Sequence, residues 1–262
     1  MKISVITIVK NGMPFVRETI DSVLSQTYAN IEYIVVDGNS NDGTIELIQS
    51  YQERLSKWVS GDDGGIAEAF NTGFNLSTGD YILYLNADDA LANENVIQEV
   101  AVEIIRNNYP TFLYGDCEVV DRQSSELLYR ASIDITLRKF LKGQIFPHPS
   151  TFTKREYFVD YGLFDQKFKI AMDYEFFLRG IKEARIINVP ILVTKVRNGG
   201  VSTISQAHVV HEIISALRKN GYLSYWGSEI RLRCYFSLRR NIRALLSIIG
   251  LYRIFLRMRR KY

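Results

Sequence analysis

The chain has 262 residues, of which 47% are hydrophobic and 12% aromatic. This composition allows a sizeable core and excludes a disordered chain, and the length fits one large domain or one domain with an appendage. The formal net charge of +3 conceals an asymmetry, because residues 218–262 carry twelve Lys or Arg and a single acid, Glu229. A basic segment on an acidic body indicates an anionic partner, either a membrane surface or a nucleic acid.

The cysteines and the apolar runs indicate a compartment and exclude some classes of protein. Cys117 and Cys234 are far apart and lack metal-type spacing, which argues against a disulfide framework and favours a reducing cytoplasm. The apolar start, Ile3–Val9, contains Ser4 and Thr7, a pattern that predicts a strand and not a signal peptide. The run at residues 244–252 is far shorter than the about 20 residues of a spanning helix.

Strand and helix patterns alternate through the first half of the chain. This βαβα order predicts an α/β fold, with a mostly parallel, Rossmann-like sheet sandwiched by helices. The predicted strands are Ile3–Val9, Ile31–Val36, Trp58–Val59 and Tyr81–Leu85, and the predicted helices are Pro14–Gln26, Thr44–Leu55, a segment ending at Leu76, and Val96–Asn107.

The second half is less regular. Short strands are predicted at Thr111–Tyr114, Glu118–Val120, Ile186–Val189 and Ile191–Val196, and helices at Ile135–Leu141, Lys154–Tyr161, Asp173–Lys182 and from His208 to the end. We therefore expect one domain over residues 1–207 and a basic, amphipathic helical tail over residues 208–262.

The most informative segment is the strand Tyr81–Leu85, which leads into Asn86, Asp88 and Asp89. Ligands of open α/β sheets bind beyond the carboxyl ends of the strands. Two neighbouring carboxylates repel each other unless a cation or a ligand neutralises them, and hard oxygen ligands suit Mg2+ or Mn2+ carrying substrate phosphates. A solvated turn that caps the next helix would give the same residues.

Two further polar loops follow predicted strands. Asp37 ends the second strand, where it can hydrogen-bond a base or ribose, and Ser40 and Asp42 in the following turn favour either anion binding or helix capping. Asp63 and Asn71 belong to a third cluster, and an Asn within a helix can face a ligand or the solvent. The first strand lacks both phosphate-binding glycine motifs, which weakens P-loop and dinucleotide interpretations.

In chain order, these motifs resemble those of glycosyltransferase family 2. The resemblance covers roughly residues 2–205. The motifs are Val35-Val-Asp-Gly-Asn-Ser-Asn-Asp-Gly-Thr44, Asp63-Gly-Gly-Ile66 with Asn71-Thr-Gly73, Ser77-Thr-Gly-Asp80 with Leu85-Asn-Ala-Asp-Asp89, Pro147-His-Pro-Ser-Thr-Phe152, Gly162-Leu-Phe-Asp165, Ala171-Met-Asp-Tyr-Glu-Phe-Phe-Leu-Arg179 and Gly199-Gly-Val-Ser-Thr203.

The resemblance implies a GT-A fold, a nucleotide-sugar donor and inversion at the anomeric carbon. It implies that Asp37 binds the base, Asp88 the ribose and Asp89 the diphosphate-bound Mg2+ or Mn2+, and that Asp173 is the general base. We expect Thr7, Val9, Ser40, Asp63 and Asn71 to line the same nucleotide-sugar site. The chain departs from the family pattern at Asn86, where many members have Asp, and at Gly38, where a second Asp is frequent.

The residues around Asp173 support that role separately. An aspartate at the start of an apolar helix can take the proton of an acceptor hydroxyl, although such a residue can equally interact with the helix dipole. Glu175 lies two positions on and points elsewhere. We expect Glu175 and His148 to contact the acceptor or the diphosphate, with a packed loop histidine as the alternative for His148.

The tail alternates Arg with Leu, Ile, Phe and Tyr, which is typical of a helix that lies in a membrane interface. A helix pair closing a homodimer is the main alternative, and the apolar content argues against nucleic acid.

Together these features predict an inverting glycosyltransferase that uses a UDP-sugar. Its expected acceptor is a glycan or lipid-linked saccharide of surface-polysaccharide synthesis, at the cytoplasmic face of the membrane. A nucleotidyltransferase and a non-catalytic membrane scaffold with a degenerate site remain the alternatives.

Overall fold

The computed structural model describes residues 1–199, 206–223, 229–230 and 232–238. The strands in these ranges are β1 Ile3–Val9, β2 Ile31–Asp37, β3 Lys57–Ser60, β4 Tyr81–Tyr84, β5 Ala90–Leu91, β6 Phe112–Val120, β7 Leu127–Ala131, β8 Thr151–Lys154 and β9 Ile186–Arg197. The helices are α1 Val16–Leu24, α2 Thr44–Ser50, α3 Ile66–Leu76, α4 Val96–Arg106, α5 Leu137–Phe140, α6 Arg155–Tyr161, α7 Met172–Leu178 and α8 Gln206–Lys219, with short 3-10 turns at Gln52–Arg54 and His148–Ser150.

All the described strands belong to one sheet, in the order β3-β2-β1-β4-β8-β6-β9-β5, and β7 pairs with β6. The pairs among β3, β2, β1 and β4 are parallel, as expected for strands linked by helical crossovers. β8 is antiparallel to both β4 and β6, and β6 is parallel to β9. The predicted α/β architecture is confirmed, with its parallel character concentrated in the first half.

Two hydrophobic clusters lie on opposite faces of the sheet, because the central strands alternate buried side chains between them. One cluster packs α1, α2 and α4 against β1, β2 and β4. The other contains the aromatic residues of α3, α6 and α7 together with α8. Burial on both faces explains why the central strands read as nearly continuous apolar runs.

The second half differs from the sequence prediction in element length. The two strands expected before and after Gly115 form the single strand β6, and Pro190 lies within one continuous β9. The expected helix at Ile135–Leu141 shortens to α5. Strands β5, β7 and β8 were not predicted, because each is two to five residues long and lacks clear alternation.

The described part of the tail is continuous with the core. Ile213, Ile214 and Leu217 of α8 are buried in the same cluster as α7, and residues 232–238 are also helical. The remainder of the predicted amphipathic tail lies outside the described residues. Within the described ranges, no helix has both the length and the apolarity to cross a membrane.

Candidate functional site

Polar loops from several strands meet at one edge of the sheet. β1, β2 and β4 run parallel, so the loops that follow their carboxyl ends lie side by side. Asp37 is the last residue of β2, paired in register with Val9 of β1, and Asp88 and Asp89 follow β4. The sequence prediction that these acids share one edge therefore agrees with the strand order.

Asp37 is buried at this edge and held by two serines. One carboxylate oxygen accepts the Ser40 hydroxyl at 2.5 Å, and the other accepts the Ser60 hydroxyl at 2.6 Å and the Ser40 backbone N–H at 3.1 Å. Ser40 in turn accepts the Asn11 N–H at 2.7 Å. These three hydrogen bonds fix the orientation of Asp37. Because a carboxylate has about four acceptor positions, one position remains for a ligand.

Asp63 lies against the same loop. An ideal Cβ placed on Gly38 would lie 2.8 Å from Oδ2 of Asp63, so a larger residue at position 38 would displace this carboxylate. Asp63 also accepts the Gly65 N–H at 3.1 Å, in the turn that precedes α3. The glycine that departs from the family pattern thus makes room for Asp63 beside Asp37.

The acidic pair after β4 forms the second part of the edge. Asp89 is only 2% exposed, and it accepts hydrogen bonds from the Asn86 side-chain amide at 3.0 Å and the Arg197 N–H at 3.2 Å. Burial, together with the charge of Asp88, raises the pKa of Asp89 to about 7. Asp88 is half-buried and forms an ion pair with Arg122 at 2.6 Å. Two neighbouring carboxylates, one of them almost fully buried, therefore repel each other, and a cation would stabilise both.

This arrangement fits a divalent cation. Mg2+ binds through one or two carboxylates together with water and substrate phosphates. Asp89 uses one hydrogen bond on each oxygen, which leaves lone pairs for a metal, and Asp88 lies next to it. The described residues contain no group of three or more His, Cys, Asp or Glu side chains placed to hold a metal ion, so water or a bound ligand would have to supply the remaining positions.

Two arginines that sequence reasoning missed surround the acidic pair. Arg122 follows β6 and Arg197 ends β9, and both guanidinium groups lie over the Phe15 ring, at 4.9 and 4.6 Å. Arg197 also contacts Glu18 and Ser125. Their positions depend on the pairing of β6 with β9, which no local pattern indicates.

His148 lies in an aromatic cluster on the face covered by α3 and α7. Its ring stacks on Tyr84 at 5.6 Å and meets Phe70 and Phe177 edge-on at 5.4 and 5.8 Å. Burial among these rings lowers the pKa of His148 to about 4, so the imidazole is neutral at physiological pH. This environment is that of a histidine packed within a loop, which was the alternative interpretation of His148.

Asp173 occupies the first turn of α7, on the same face. It accepts the Tyr174 N–H at 2.7 Å, and desolvation raises the pKa of its carboxyl to about 6, with a smaller contribution from Glu212. A carboxylate with a pKa near the working pH is suited to general-base catalysis. Its role as the general base stays a prediction.

Glu212 of α8 fixes the segment that leads into Asp173. Its carboxylate accepts the backbone N–H groups of Lys169, Ile170 and Ala171 at 2.9, 2.9 and 2.7 Å. These groups precede α7 and would otherwise lack partners at the helix start. Sequence reasoning missed Glu212, since its partners lie about 40 residues away.

The structure places Glu175 away from the ligand role expected for it. Its carboxylate is fully buried and pairs with Arg179 at 2.5 Å and Lys219 at 2.8 Å. Lys219 also pairs with Asp165 at 2.8 Å. The side chain therefore joins α7 to α8 and does not face the site edge.

Three other predicted site residues have their side chains engaged in the protein interior. The Thr7 hydroxyl is fully buried 3.1 Å from the Tyr33 hydroxyl, and the Val9 side chain packs in the core. The amide of Asn71 exchanges two hydrogen bonds of 2.9 Å with the backbone of Phe164. These side chains position strands and loops and do not point at a ligand.

Comparison with known proteins shows which fold this site belongs to. TarS of Staphylococcus aureus, residues 1–349 in complex with UDP-GlcNAc, superposes with a TM-score of 0.66 at 18% identity, over 83% of this chain and 66% of that one. A mannosyltransferase of Pyrobaculum calidifontis, in complex with GDP-Man and Mn2+, gives 0.63 at 20% identity, over 90% of this chain and 69% of that one. This chain spans 40% of the longer TarS chain.

The sequence comparisons agree with the fold. The profile described as Glycosyl transferase family 2 matches residues 4–162. An uncharacterized glycosyltransferase of Mycobacterium tuberculosis is 31% identical over 204 residues, 77% of each chain. A PGL/p-HBAD biosynthesis glycosyltransferase of Mycobacterium bovis is 28% identical over 179 residues, 67% of this chain and 66% of that one.

The curled sheet, its flanking helices and the acidic strand-end loops thus define an α/β glycosyltransferase domain of the GT-A class. The chain belongs to glycosyl transferase family 2.

Proposed function

We propose that this glycosyltransferase inverts the anomeric centre as it moves a sugar from a UDP-sugar to a hydroxyl group of a glycan or lipid-linked saccharide. The observation that carries the proposal is the pairing of two features. The Asp88–Asp89 pair lies at the carboxyl end of β4. Asp173, whose pKa is raised to about 6, lies on the helix that covers the adjoining aromatic face.

The residues divide the chemistry between them. Asp37 binds the base, with Asp63 beside it in the same nucleotide-sugar site. Asp88 binds the ribose. Mg2+ or Mn2+ held by Asp89, when bound, would neutralise the charge that builds on the departing diphosphate. Asp173 accepts the proton of the acceptor hydroxyl as its oxygen attacks the anomeric carbon. The bond to the diphosphate oxygen breaks on the opposite face, so the configuration inverts.

The named complexes support a nucleotide-sugar donor. TarS is described with UDP and with UDP-GlcNAc, which favours uridine, and the P. calidifontis enzyme with GDP-Man makes guanosine the second choice. Mn2+ is present in that complex and in that of GalNAc-T7 with UDP and GalNAc.

The basic composition of residues 218–262 supports action at an anionic membrane surface. Within this proposal the enzyme works at the cytoplasmic face of the membrane, on surface-polysaccharide precursors. The tail contacts lipid and not nucleic acid. A homodimer formed through the tail is the competing arrangement.

A donor screen tests the activity. Hydrolysis of UDP-, GDP- and TDP-sugars is measured with Mn2+, and products from the active donor are analysed for anomeric configuration. Asp173→Asn is expected to bind UDP as the wild type does while transfer falls by about 100-fold or more, the scale of a general base. Turnover retained in this variant would show that Asp173 is not the general base. If the wild type instead forms a nucleotide-sugar from sugar phosphate and nucleoside triphosphate, the protein is a nucleotidyltransferase.

A further inference from the structure

Asp116 in the middle of β6 has a carboxylate oxygen that the fold leaves without a partner. The residue is 5% exposed, and its Oδ1 is buried with no hydrogen-bond partner in the described part of the chain. An oxygen that stays buried and unpaired lowers the stability of the folded state. Buried unsatisfied oxygens are rare in native proteins and each requires an explanation.

The other oxygen of Asp116 explains why the side chain keeps a fixed orientation. Oδ2 accepts both Nε–H of Arg130 at 3.0 Å and its Nη2 at 2.8 Å. This two-pronged contact with the guanidinium balances the charge of the carboxylate. Oδ1 therefore needs a neutral donor, such as a hydroxyl group, and not a second cation.

The strand register places Asp116 at the level of the acidic edge. Leu83 of β4 and Leu113 of β6 both pair with Phe152 of β8. Since β8 is antiparallel to both strands, three residues further along each of them lead to Asn86 and Asp116. The two residues thus lie at matching heights on either side of the turn that contains His148.

Asp116 also lies near the sheet face that carries α7 and Asp173. Tyr84 and Tyr114 point into the cluster that contains α7. The register of β6 against β9 shifts at Asp116, but Asp116 stays close to Tyr114, because its charge adds to the effect of burial in raising the pKa of that tyrosine. Asp173 lies at the start of α7. Asp116 therefore lies near the face that carries the candidate base and at the level of Asn86 in the acidic edge.

We propose that Oδ1 of Asp116 accepts a hydrogen bond from a hydroxyl group of the sugar carried by the nucleotide donor. This inference rests on the proposed function and extends it, because it assigns a residue to the sugar and not to the nucleotide. Arg130 is a positioning residue that holds Asp116 in place.

The test compares affinities for UDP and for nucleotide-sugars by calorimetry with Mn2+. The panel is UDP-glucose, UDP-galactose, UDP-GlcNAc, UDP-GalNAc and GDP-mannose, with UDP and GDP as sugar-free references. Asp116→Ala is expected to weaken binding of the preferred nucleotide-sugar by about tenfold or more and to leave nucleoside-diphosphate binding unchanged. Arg130→Gln, which removes the guanidinium but keeps Oδ1, is expected to cause a smaller loss than Asp116→Ala. Arg106→Gln, a change in an exposed ion pair on α4, is the control and is expected to bind like the wild type.

Deoxy donors identify the hydroxyl group. Removing the correct one should weaken binding to the wild type and cause no further loss in Asp116→Ala, the pattern of two coupled groups. If Asp116→Ala does not fold, the paired variant Asp116→Leu with Arg130→Leu is used, because it removes the acceptor and leaves no unpaired charge. The same selective loss of nucleotide-sugar affinity is expected.

The outcomes separate the two proposals. Unchanged nucleotide-sugar affinity in Asp116→Ala, or equal losses for Asp116→Ala and Arg130→Gln, would show a purely structural ion pair and overturn the inference while transfer by the wild type stands. A wild-type protein that binds no member of the panel would overturn the proposed function, and the inference with it.

Discussion

Asp173 shows how burial adjusts one carboxyl group for catalysis. Its half-buried side chain keeps a hydrogen bond from the Tyr174 N–H, yet desolvation outweighs that bond and raises the pKa to about 6. The carboxylate is then the main form at neutral pH while its proton affinity is higher than that of an exposed aspartate. A general base benefits from both properties.

The pH dependence of transfer follows from this value. A base acts in its ionised form, so kcat/KM should be level above pH 7 and fall about tenfold per pH unit below about 6. Initial rates with a saturating acceptor and limiting donor measure the profile. UDP binding with Mn2+, followed over the same range, separates protonation of Asp89 from that of Asp173. A profile that is flat down to pH 5 would contradict the assignment.

Asn86 orients the carboxylate of Asp89 through a hydrogen bond. Its amide donates to Asp89 at 3.0 Å, so the residue that replaces the family's frequent Asp is a neutral partner of the proposed metal ligand. Partners of this outer kind typically affect metal affinity by about 10–100-fold.

Asn86→Ala is therefore expected to weaken Mn2+ binding, measured by electron paramagnetic resonance in the presence of UDP, by about tenfold. Asp89→Ala should abolish that binding and serves as the reference. Affinity in Asn86→Ala equal to that of the wild type would mean that the hydrogen bond does not position Asp89.

At the level of elements, α7 and α8 form one unit around the candidate base. Glu212 of α8 binds the three N–H groups that lead into α7, and the Glu175 network joins the same two helices. The position of Asp173 therefore depends on a helix that begins 33 residues later in the chain.

Glu212→Ala tests this dependence. Losing the shared acceptor should lower the free energy of unfolding by about 1–3 kcal/mol and reduce transfer more than UDP binding. Glu212→Gln keeps an acceptor but removes the negative charge that raises the pKa of Asp173, so the acidic limb of its rate profile should move to lower pH. The exposed neighbour His211→Ala is the control, and an unmoved limb in Glu212→Gln would exclude electrostatic coupling.

At the scale of the whole molecule, the two faces of the sheet have different tasks. One cluster holds β1, β2 and β4 in the register that brings Asp37 to the same sheet edge as the acidic pair. The other supports His148, α7 and α8. The acidic edge and helix α7, which bears the proposed base Asp173, are thus supported by two different hydrophobic clusters on opposite faces of one sheet.

Residues 239–262 supply eight Lys or Arg and no acid. Truncation after residue 238 should abolish cosedimentation with phosphatidylglycerol vesicles at low salt, because each cation near an anionic surface contributes about 1 kcal/mol. Substitution of the same cations by Gln in the full chain is the matched variant. If vesicle binding is retained after both changes, the tail does not bind the membrane. A change in oligomeric state on truncation would favour a homodimer formed through the tail.

Much of this fold is readable from local pattern. Apolar strands and the Asn- and Asp-rich turns after β2 and β4 are contiguous in the chain, so the acidic edge, the alternation of strands and helices in the first half, and Asp173 at a helix start could all be predicted. The short strands β5, β7 and β8 could not, because their pairing depends on partners elsewhere in the sheet.

The tertiary structure alone decided which polar side chains are free for a ligand. Thr7, Asn71 and Glu175 look like candidate ligand groups in the sequence, but each is satisfied by a partner 26, 93 or 44 residues distant. Asp116, which no motif singled out, is the buried acid with an unpaired oxygen among the residues that the structure describes. The physical reason is that hydrophobic periodicity is a local property of the chain, whereas the hydrogen-bond and charge partners of a buried polar group are brought to it by the fold.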